Sequence, residues 1–256
     1  MYPDILTIGN FTIHTYGVCI ALGALLGIIL ITHEARKEGY DQQQILDLAF
    51  YLLIAAIIGS RIFYIALNLT YYLRHPLETL MIWRGGLVFY GGFIFAFATC
   101  FLYLKKHHLP FLKTCDLLVP GLAIGEAIGR IGCFFAGCCY GKATELPWAI
   151  TFTHPHSLAE LGVPLHPTQL YSSFKALLVF LILITFRRHK KGEGQLIFLY
   201  MLLYAAGRLI IEPLRGDDRG LLILSSITLT QAVALISIPI AIFMLFYLGR
   251  RHTSPS

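Results

Sequence analysis

The sequence predicts an all-α integral membrane protein of seven transmembrane helices, with its N-terminus outside, its C-terminus cytoplasmic and a small external cap. Three observations carry that reading. The chain is 57% hydrophobic and only 13% charged, whereas a soluble domain is about one-quarter charged. Its mean hydropathy is +0.70, and apolar windows of about 20 residues, the length that crosses a bilayer, recur along the chain. Lys and Arg concentrate in alternate links between those windows.

The windows run Thr12–Ile31, Leu46–Leu67, Gly86–Leu104, Leu117–Phe135, Gln169–Phe186, Gln195–Ile211 and Ser226–Leu248. The first lacks a basic leader and a small-residue cleavage site, so it reads as a retained span and not as a removed signal peptide. Residues 33–45 form a short cytoplasmic link with room for an interfacial helix. The longest polar excursion, Tyr140–His166, carries Pro147, Pro155 and Pro164 and reads as the cap, at about residues 140–166. Neither repeats nor low-complexity tracts interrupt this pattern, so residues 1–256 form a single polytopic membrane domain.

Charge sets the orientation. Arg36, Lys37, Lys105, Lys106, Lys113, Arg187, Arg188, Lys190, Lys191, Arg250 and Arg251 lie on one side, against Arg74, Arg84, Lys142, Arg215 and Arg219 on the other. The positive-inside rule makes the richer side cytoplasmic, and opposite termini require an odd number of spans. The net charge of +6 is not a nucleic-acid signal, because no basic stripe or basic–aromatic interleaving accompanies it.

Polar residues at bilayer depth are costly, about 2.5–3.5 kcal/mol for an Arg on insertion scales, and mark function. Arg61 follows Gly59-Ser60 in the second window. Glu126 and Arg130 share the fourth at i, i+4, Arg208 and Glu212 share the sixth, and Lys175 lies about a turn into the fifth. The two i, i+4 pairs could neutralise themselves. Arg61, Arg130, Arg208 and Arg215 nevertheless outnumber Glu126 and Glu212, so the surplus calls for an external anion, and lipid phosphate is the nearest abundant one. The run Gly129-Arg130-Ile131-Gly132-Cys133-Phe134-Phe135-Ala136-Gly137-Cys138-Cys139-Tyr140-Gly141 places an arginine among glycines that let backbone approach another helix or a ligand. A guanidinium fork there suits phosphate oxygens.

That run resembles the signature of the phosphatidylglycerol–prolipoprotein diacylglyceryl transferases. Further pieces match in order: Thr15-Tyr16-Gly17, Gly59-Ser60-Arg61, Trp83-Arg84-Gly85-Gly86-Leu87-Val88-Phe89-Tyr90-Gly91-Gly92, His166-Pro167-Thr168-Gln169-Leu170-Tyr171, and Arg208-Leu209-Ile210-Ile211-Glu212 with Arg215 and Asp217. The resemblance covers nearly the whole chain. It implies an enzyme of the bacterial cytoplasmic membrane that moves the diacylglyceryl group of phosphatidylglycerol to the lipobox cysteine thiol of a prolipoprotein, releasing glycerol 1-phosphate. The implied partners are that lipid and prolipoprotein signal peptides. A departing phosphate needs its charge stabilised, and the acceptor must react as thiolate. Neither half requires a metal or organic cofactor, so none is expected.

On this reading Arg130 and Arg208 hold the phosphate as it leaves. Glu212 either orients Arg208 or takes the thiol proton, and Tyr90 belongs to the catalytic set. Arg61 and Arg215 are further phosphate or carboxylate partners. Tyr16 and Tyr171 hydrogen-bond the lipid head group or anchor at the interface. His166 is a base or head-group donor, or else fixes the cap to the fifth span. The close-approach glycines Gly91, Gly92, Gly132 and Gly141 complete the substrate-binding set.

The chain departs from the family pattern in three places. Tyr90 stands where many members have a histidine proposed as the base, and a phenol's ordinary pKa near 10 makes it a poor one at neutral pH. Cys133 and Ala136 occupy the usual asparagine positions, and Cys138 a usually polar one. Cys19, Cys100 and Cys115 read as packing residues. For Cys133, Cys138 and Cys139 three readings stand: a Cys133–Cys138 disulfide, a metal or redox site, for which the Cys-x2-Cys spacing typical of zinc is absent, or packed thiols. Rival functions are a divergent paralogue with another acceptor, a transporter of a lipid or small anion, and a thiol-redox membrane protein.

Overall fold

The computed structural model describes residues 2–8, 11–81, 85–217, 222–223 and 227–251. Trp83 and Arg84 of the double-glycine stretch, and Arg219 of the outer-side charges, lie outside the described residues. Each of the seven apolar windows contains a helix. In chain order the elements are β1 (Asp4–Ile8), β2 (Phe11–His14), α1 (Thr15–Lys37), α2 (Gln42–Leu67), α3 (Leu69–Arg74), a 3-10 turn (Pro76–Leu80), α4 (Phe89–Lys106), α5 (Phe111–Ala136), β3 (Ile150–Thr151), β4 (Pro164–Leu165), α6 (Thr168–Arg187), α7 (Gln195–Ile211), a second 3-10 turn (Glu212–Leu214), β5 (Leu222–Ile223), β6 (Ile227–Thr228) and α8 (Leu229–Arg251).

Among the described residues, six helices are long and apolar enough to cross a membrane: α1, α2, α5, α6, α7 with the turn that follows it, and α8. The fold is thus that of a mainly helical, multi-pass membrane protein. The 18-residue α4 is not among the six, because the lysines at its end dilute a short apolar run. Many large hydrophobic side chains point outward, including Leu25, Phe50, Phe97, Phe174 and Phe246, as expected where the surrounding medium is lipid.

Among the described residues, three antiparallel ribbons of two strands interrupt the helices. The first corrects the start of the first span: Thr12 and Ile13 pair with Thr7 and Leu6, so the helix begins at Thr15. Thr and Ile are β-branched and favour the extended chain where a partner strand is at hand. The link after α1 is also shorter than expected. Residues 33–37 continue the helix, and Gly39, at φ +76°, ends it in a left-handed turn closed by Tyr40 N–H on the Ala35 carbonyl at 3.0 Å. Asp41 then caps α2 by accepting from Gln43 N–H at 2.9 Å, so no interfacial helix lies between them.

The chain divides into two compact units, one of residues 1–31 with 115–256 and one of residues 32–114. Glycines set the helix contacts in both. In the first, a Cβ at Gly23 or Gly27 of α1 would fall 2.9 Å from the Gly125 or Gly121 carbonyl of α5, so the two backbones touch as small-residue membrane contacts do. Asp116 of α5, with only 1% of its side chain exposed, accepts from Gly194 N–H at 2.8 Å and Ile197 N–H at 2.9 Å. It thereby caps α7 from a neighbouring helix. Val119 and Ala123 of α5, Val179 and Leu183 of α6 and Leu196 of α7 form the apolar core beside it. In the second unit α2 packs on α4.

Candidate active site

In the first unit, charged side chains from α5, α6, α7 and the turn after α7 converge. Glu126 accepts from Lys175 Nζ at 3.0 Å, and Arg130 Nε lies 3.8 Å from the same oxygen. The expected i, i+4 pair is therefore present, but Glu126 is engaged first by α6. Lys175 also lies 4.3 Å over the Tyr204 ring. Its stem runs along Gly207, where a Cβ would meet Lys175 Cδ at 2.5 Å, so the glycine makes room for the ion pair.

Arg208 Nε and Glu212 Oε2 form an ion pair at 2.9 Å. The other Glu212 oxygen accepts from the hydroxyls of Thr228 and Thr230 at 2.9 and 2.8 Å. Two hydroxyls and the Arg208 ion pair thus hold Glu212 as an acceptor. Arg215, with 6% of its side chain exposed, makes a two-pronged pair with Asp217 at 2.9 and 2.7 Å.

These groups belong to one electrostatic cluster. Tyr204 lies within reach of Glu126, Arg130, Arg208 and Arg215, and Lys175 within reach of Arg130 and Arg208. Among the described residues of the cluster four cations, Arg130, Lys175, Arg208 and Arg215, face three carboxylates, Glu126, Glu212 and Asp217. The net positive charge, on orienting acids, suits an anion.

The signature run ends beside this cluster. Cys133 is on the last turns of α5, and Gly137 (φ +76°) and Cys139 (φ +60°) turn the chain out of the helix. Gly141 donates to the His166 carbonyl at 3.0 Å and forms a β-bridge with Arg215. A Cβ at Gly141 would collide with His166 Cβ and lie 2.9 Å from the Leu214 carbonyl, and one at Gly132 would lie 2.8 Å from Cys19 Cβ and 3.2 Å from the Tyr16 carbonyl. Both glycines therefore serve close packing of chain on chain. Cys133 and Cys138 form no disulfide in the structure. The Cys139 thiol is pulled below its ordinary range by contacts with Cys133 and Cys138 and by the charges of Arg215 and Arg130, while those contacts and burial push Cys138 up.

In the cap, Trp148 Nε1 donates to the Tyr171 hydroxyl at 2.8 Å, and His166 Nδ1 lies 3.4 Å from that hydroxyl. His166 also donates its N–H to the Lys142 carbonyl at 3.0 Å. His166 and Tyr171 thus fasten the cap to the start of α6. Phe152, Ala159 and Leu165 form a small core under it. Tyr16 is 43% exposed at the start of α1, within electrostatic reach of Arg130 and the three thiols.

Three expected binding residues, Arg61, Gly91 and Gly92, lie in the second unit. Arg61 donates to the carbonyls of Thr79 (2.9 Å), Gly85 (2.8 Å), Gly86 (3.2 Å) and Glu78 (2.6 Å). Its guanidinium also lies 5.8 and 5.3 Å from the Tyr64 and Tyr72 ring centres. Four of its five N–H groups are used on backbone, so it ties the loop after α2. A Cβ at Gly91 would overlap the Gly59 carbonyl and Phe63, and one at Gly92 would overlap Ser60 Oγ. These glycines are the α2–α4 contact. Tyr90 lies in the same unit, 39% exposed, edge-on to Phe89 at 5.9 Å.

The sequence reading noticed Lys175 without giving it a task, and it missed Tyr204, Thr228 and Thr230. A lysine among apolar residues was the available signal for the first. The others are ordinary residue types whose role depends on partners distant in sequence.

The prolipoprotein diacylglyceryl transferase family profile matches residues 3–247. A phosphatidylglycerol–prolipoprotein diacylglyceryl transferase of Clostridium tetani is 38% identical over 244 residues, covering 95% of this chain and 96% of that relative. Proteins of the same description from Finegoldia magna (39% over 221 residues, 86% and 85% covered) and Clostridioides difficile (34% over 246 residues, 96% and 95% covered) are also similar. With that coverage and the arginine-rich cluster in place, the chain belongs to the prolipoprotein diacylglyceryl transferase family.

Proposed function

We propose that this enzyme transfers the diacylglyceryl group of phosphatidylglycerol to the lipobox cysteine of prolipoproteins, forming a thioether and releasing glycerol 1-phosphate. The observation that carries the reading is the four-cation, three-carboxylate cluster of Arg130, Lys175, Arg208 and Arg215 with Glu126, Glu212 and Asp217. In the reaction the acceptor sulfur attacks the glycerol carbon that bears the phosphate. The S–C bond forms as the C–O bond breaks, and the electron pair leaves on the phosphate oxygen. Arg130 and Arg208 take up that developing charge, preorganised so that no reorientation is needed when it appears.

The remaining groups position these two. Glu126 and Lys175 hold Arg130, and Glu212, with Thr228 and Thr230, holds Arg208. Arg215, fixed by Asp217, adds positive potential beside the signature loop. Tyr16 serves the head group, and His166 and Tyr171 keep the cap over the site. The enzyme sits in the bacterial cytoplasmic membrane. There α4 makes a seventh span, the N-terminus is outside, the C-terminus is cytoplasmic, and the cap is external.

The test is an assay of purified protein in detergent with phosphatidylglycerol and a lipobox peptide, reading peptide mass and glycerol phosphate. The expected result is a peptide carrying one diacylglyceryl group, with Arg130→Ala and Arg208→Ala each reducing the rate by roughly 100-fold or more, as for loss of an oxyanion-type donor. Full activity in both variants at normal expression would remove the phosphate-site assignment. Lipid flux without a covalent product would make the protein a transporter.

A further inference from the structure

Cys133, Cys138 and Cys139 are used by none of the steps above, yet their sulfurs all lie within 4.8 Å of one another. Two features of the backbone gather them. Gly137 (φ +76°) ends α5 and donates its N–H to the Phe134 carbonyl at 3.3 Å, a turn that folds the chain back over the last helical turn. Cys138 Sγ accordingly lies 3.8 Å from the Cys133 carbonyl. The left-handed backbone at Cys139 (φ +60°) then breaks the alternation of an extended chain and keeps the third sulfur with the other two. The Cys138 and Cys139 carbonyls accept from Gln169 Nε2 and Thr168 Oγ1, each at 2.8 Å, so α6 pins the loop. Cys133 is buried and the other two are partly open.

The same loop is zipped to the turn that carries Arg215. Gly216 N–H donates to the Tyr140 carbonyl at 3.1 Å, Lys142 N–H donates to the Leu214 carbonyl at 2.8 Å, and Gly141 bridges Arg215. The Cys139 thiol is itself in hydrogen-bonding contact with the Arg215 side chain. Cys139 thus joins the cysteine cluster to the arginines, and a change in its bonding reaches Arg215 directly. Contacts with Cys133 and Cys138 and the charges of Arg215 and Arg130 favour its thiolate, the form that attacks disulfides.

We propose that Cys139 and Cys133 form a thiol–disulfide exchange site, oxidised by a small extracytoplasmic disulfide, that sets the activity of the neighbouring arginine cluster. This rests on the transferase reading above and on the outward placement of the loop, in the compartment where disulfides form. Cys139 attacks the external disulfide, one sulfur of which leaves as thiolate while a mixed disulfide forms. Cys138 does not complete the exchange, because a disulfide between adjacent residues closes a ring too small for an unstrained trans peptide bond. Cys133 instead gives up its proton and displaces the second external sulfur. The products are a Cys133–Cys139 disulfide and two external thiols, which carry away the electron pair and both protons. The new bond takes the thiol from Arg215 and draws the loop toward α5, so the Arg215 turn shifts with it and transfer slows.

The test uses full-length protein in detergent, equilibrated with mixtures of reduced and oxidised glutathione in the absence of phospholipid, then alkylated and digested. Mass spectrometry should show a Cys133–Cys139 bond that forms reversibly as the mixture becomes more oxidising, with Cys138 alkylated throughout. Matching samples, freed of glutathione, are assayed for transfer to a reduced lipobox peptide. Oxidation should slow that reaction at least roughly tenfold, because small displacements of a positioned charge cost rate steeply, and reduction should restore it. Cys139→Ser and Cys133→Ala should each abolish the bond and give the same rate after either treatment, whereas Cys100→Ser should keep both responses.

Thiols that stay open to alkylation at full oxidation, or glutathione adducts that never resolve, overturn the site. A bond from Cys133 to Cys138, or one that persists in Cys139→Ser protein of normal melting temperature, overturns the assignment of the pair. The Cys133–Cys139 bond with an unchanged rate overturns the control of activity. That bond in wild-type protein that lipidates no peptide in either redox state would leave the exchange site standing and overturn the transferase reading instead.

Discussion

Replacing Arg61 tests whether a buried membrane arginine holds substrate or holds the fold. In the structure it is 7% exposed and gives four hydrogen bonds to the carbonyls of Glu78, Thr79, Gly85 and Gly86. Hydrogen bonds from a charged donor are worth about 1.5–3 kcal/mol each when both partners are buried. Four do not add in full, because the neutral carbonyls relax once the side chain is gone, and single substitutions rarely cost more than about 4–5 kcal/mol. Taking about 4 kcal/mol, and about 2–4 °C per kcal/mol for a chain near this size, Arg61→Ala should melt roughly 8–16 °C lower than wild type in detergent. Arg61→Lys keeps the charge but brings three donors in place of five, so it should fall between. The assay is thermal unfolding followed by intrinsic fluorescence, paired with phosphatidylglycerol binding measured well below the lower melting temperature. The structural assignment requires binding by the folded variant to be near normal. An Arg61→Ala protein that melts within about 2 °C of wild type but no longer binds the lipid would refute it.

Other expectations follow from the same geometry. Lys175→Met leaves Glu126 to Arg130, now 3.8 Å away, and should draw the guanidinium off the phosphate, lowering kcat roughly tenfold or more; Glu126→Gln in the same chain should restore part of it, and additive losses in the double variant would refute the coupling. Thr228→Val with Thr230→Val removes two donors to Glu212, and kcat should fall with little change in KM; an unchanged kcat would show that Arg208 needs no such support. Gly91→Ala forces a methyl into the Gly59 carbonyl and Phe63 and should cost about 1–3 kcal/mol of stability, read as a lower melting temperature with lipid binding retained. Asp4 is held below the ordinary carboxylate value of 3.8 by hydrogen bonds from His156 and then His14, each at 2.7 Å. A depressed acid stabilises above its unfolded pKa and ceases to as pH falls through its folded one. The melting difference between wild type and Asp4→Asn should therefore be present above the ordinary value of 3.8 and be lost as pH falls below it; a difference that grows on acidification would contradict the tie.

Sequence alone determined the class of this protein and the position of most of its helices. Transfer to lipid is a local property, fixed by roughly 20 residues at about 1.5 Å each, so apolar windows name spans without knowledge of any partner. The same logic exposed Arg130, Arg208 and Lys175, because a charge in an apolar run is conspicuous whatever it faces. Ion pairs at i, i+4 were legible for the same reason, and both pairs read from the sequence are present.

Tertiary structure decided everything that depends on a neighbour distant along the chain. Lys175 reaches Glu126 across 49 residues, and Thr228 and Thr230 reach Glu212 across 16 and 18. Arg61, conspicuous as a buried cation, is spent on carbonyls from a loop 17 to 25 residues away. Gly91, Gly92, Gly132 and Gly141 prove to be places where chain lies on chain. A glycine signals only that something comes close, and the folded chain supplies what that is. The cysteines show the limit most plainly. Cys133 and Cys138 are separated by a helix end, and Cys138 and Cys139 are adjacent in the chain. Only the left-handed turn at Cys139, pinned by Thr168 and Gln169 from α6, brings the three sulfurs together. A backbone dihedral and two hydrogen bonds from another helix made that cluster, and neither is a property of the residues' spacing.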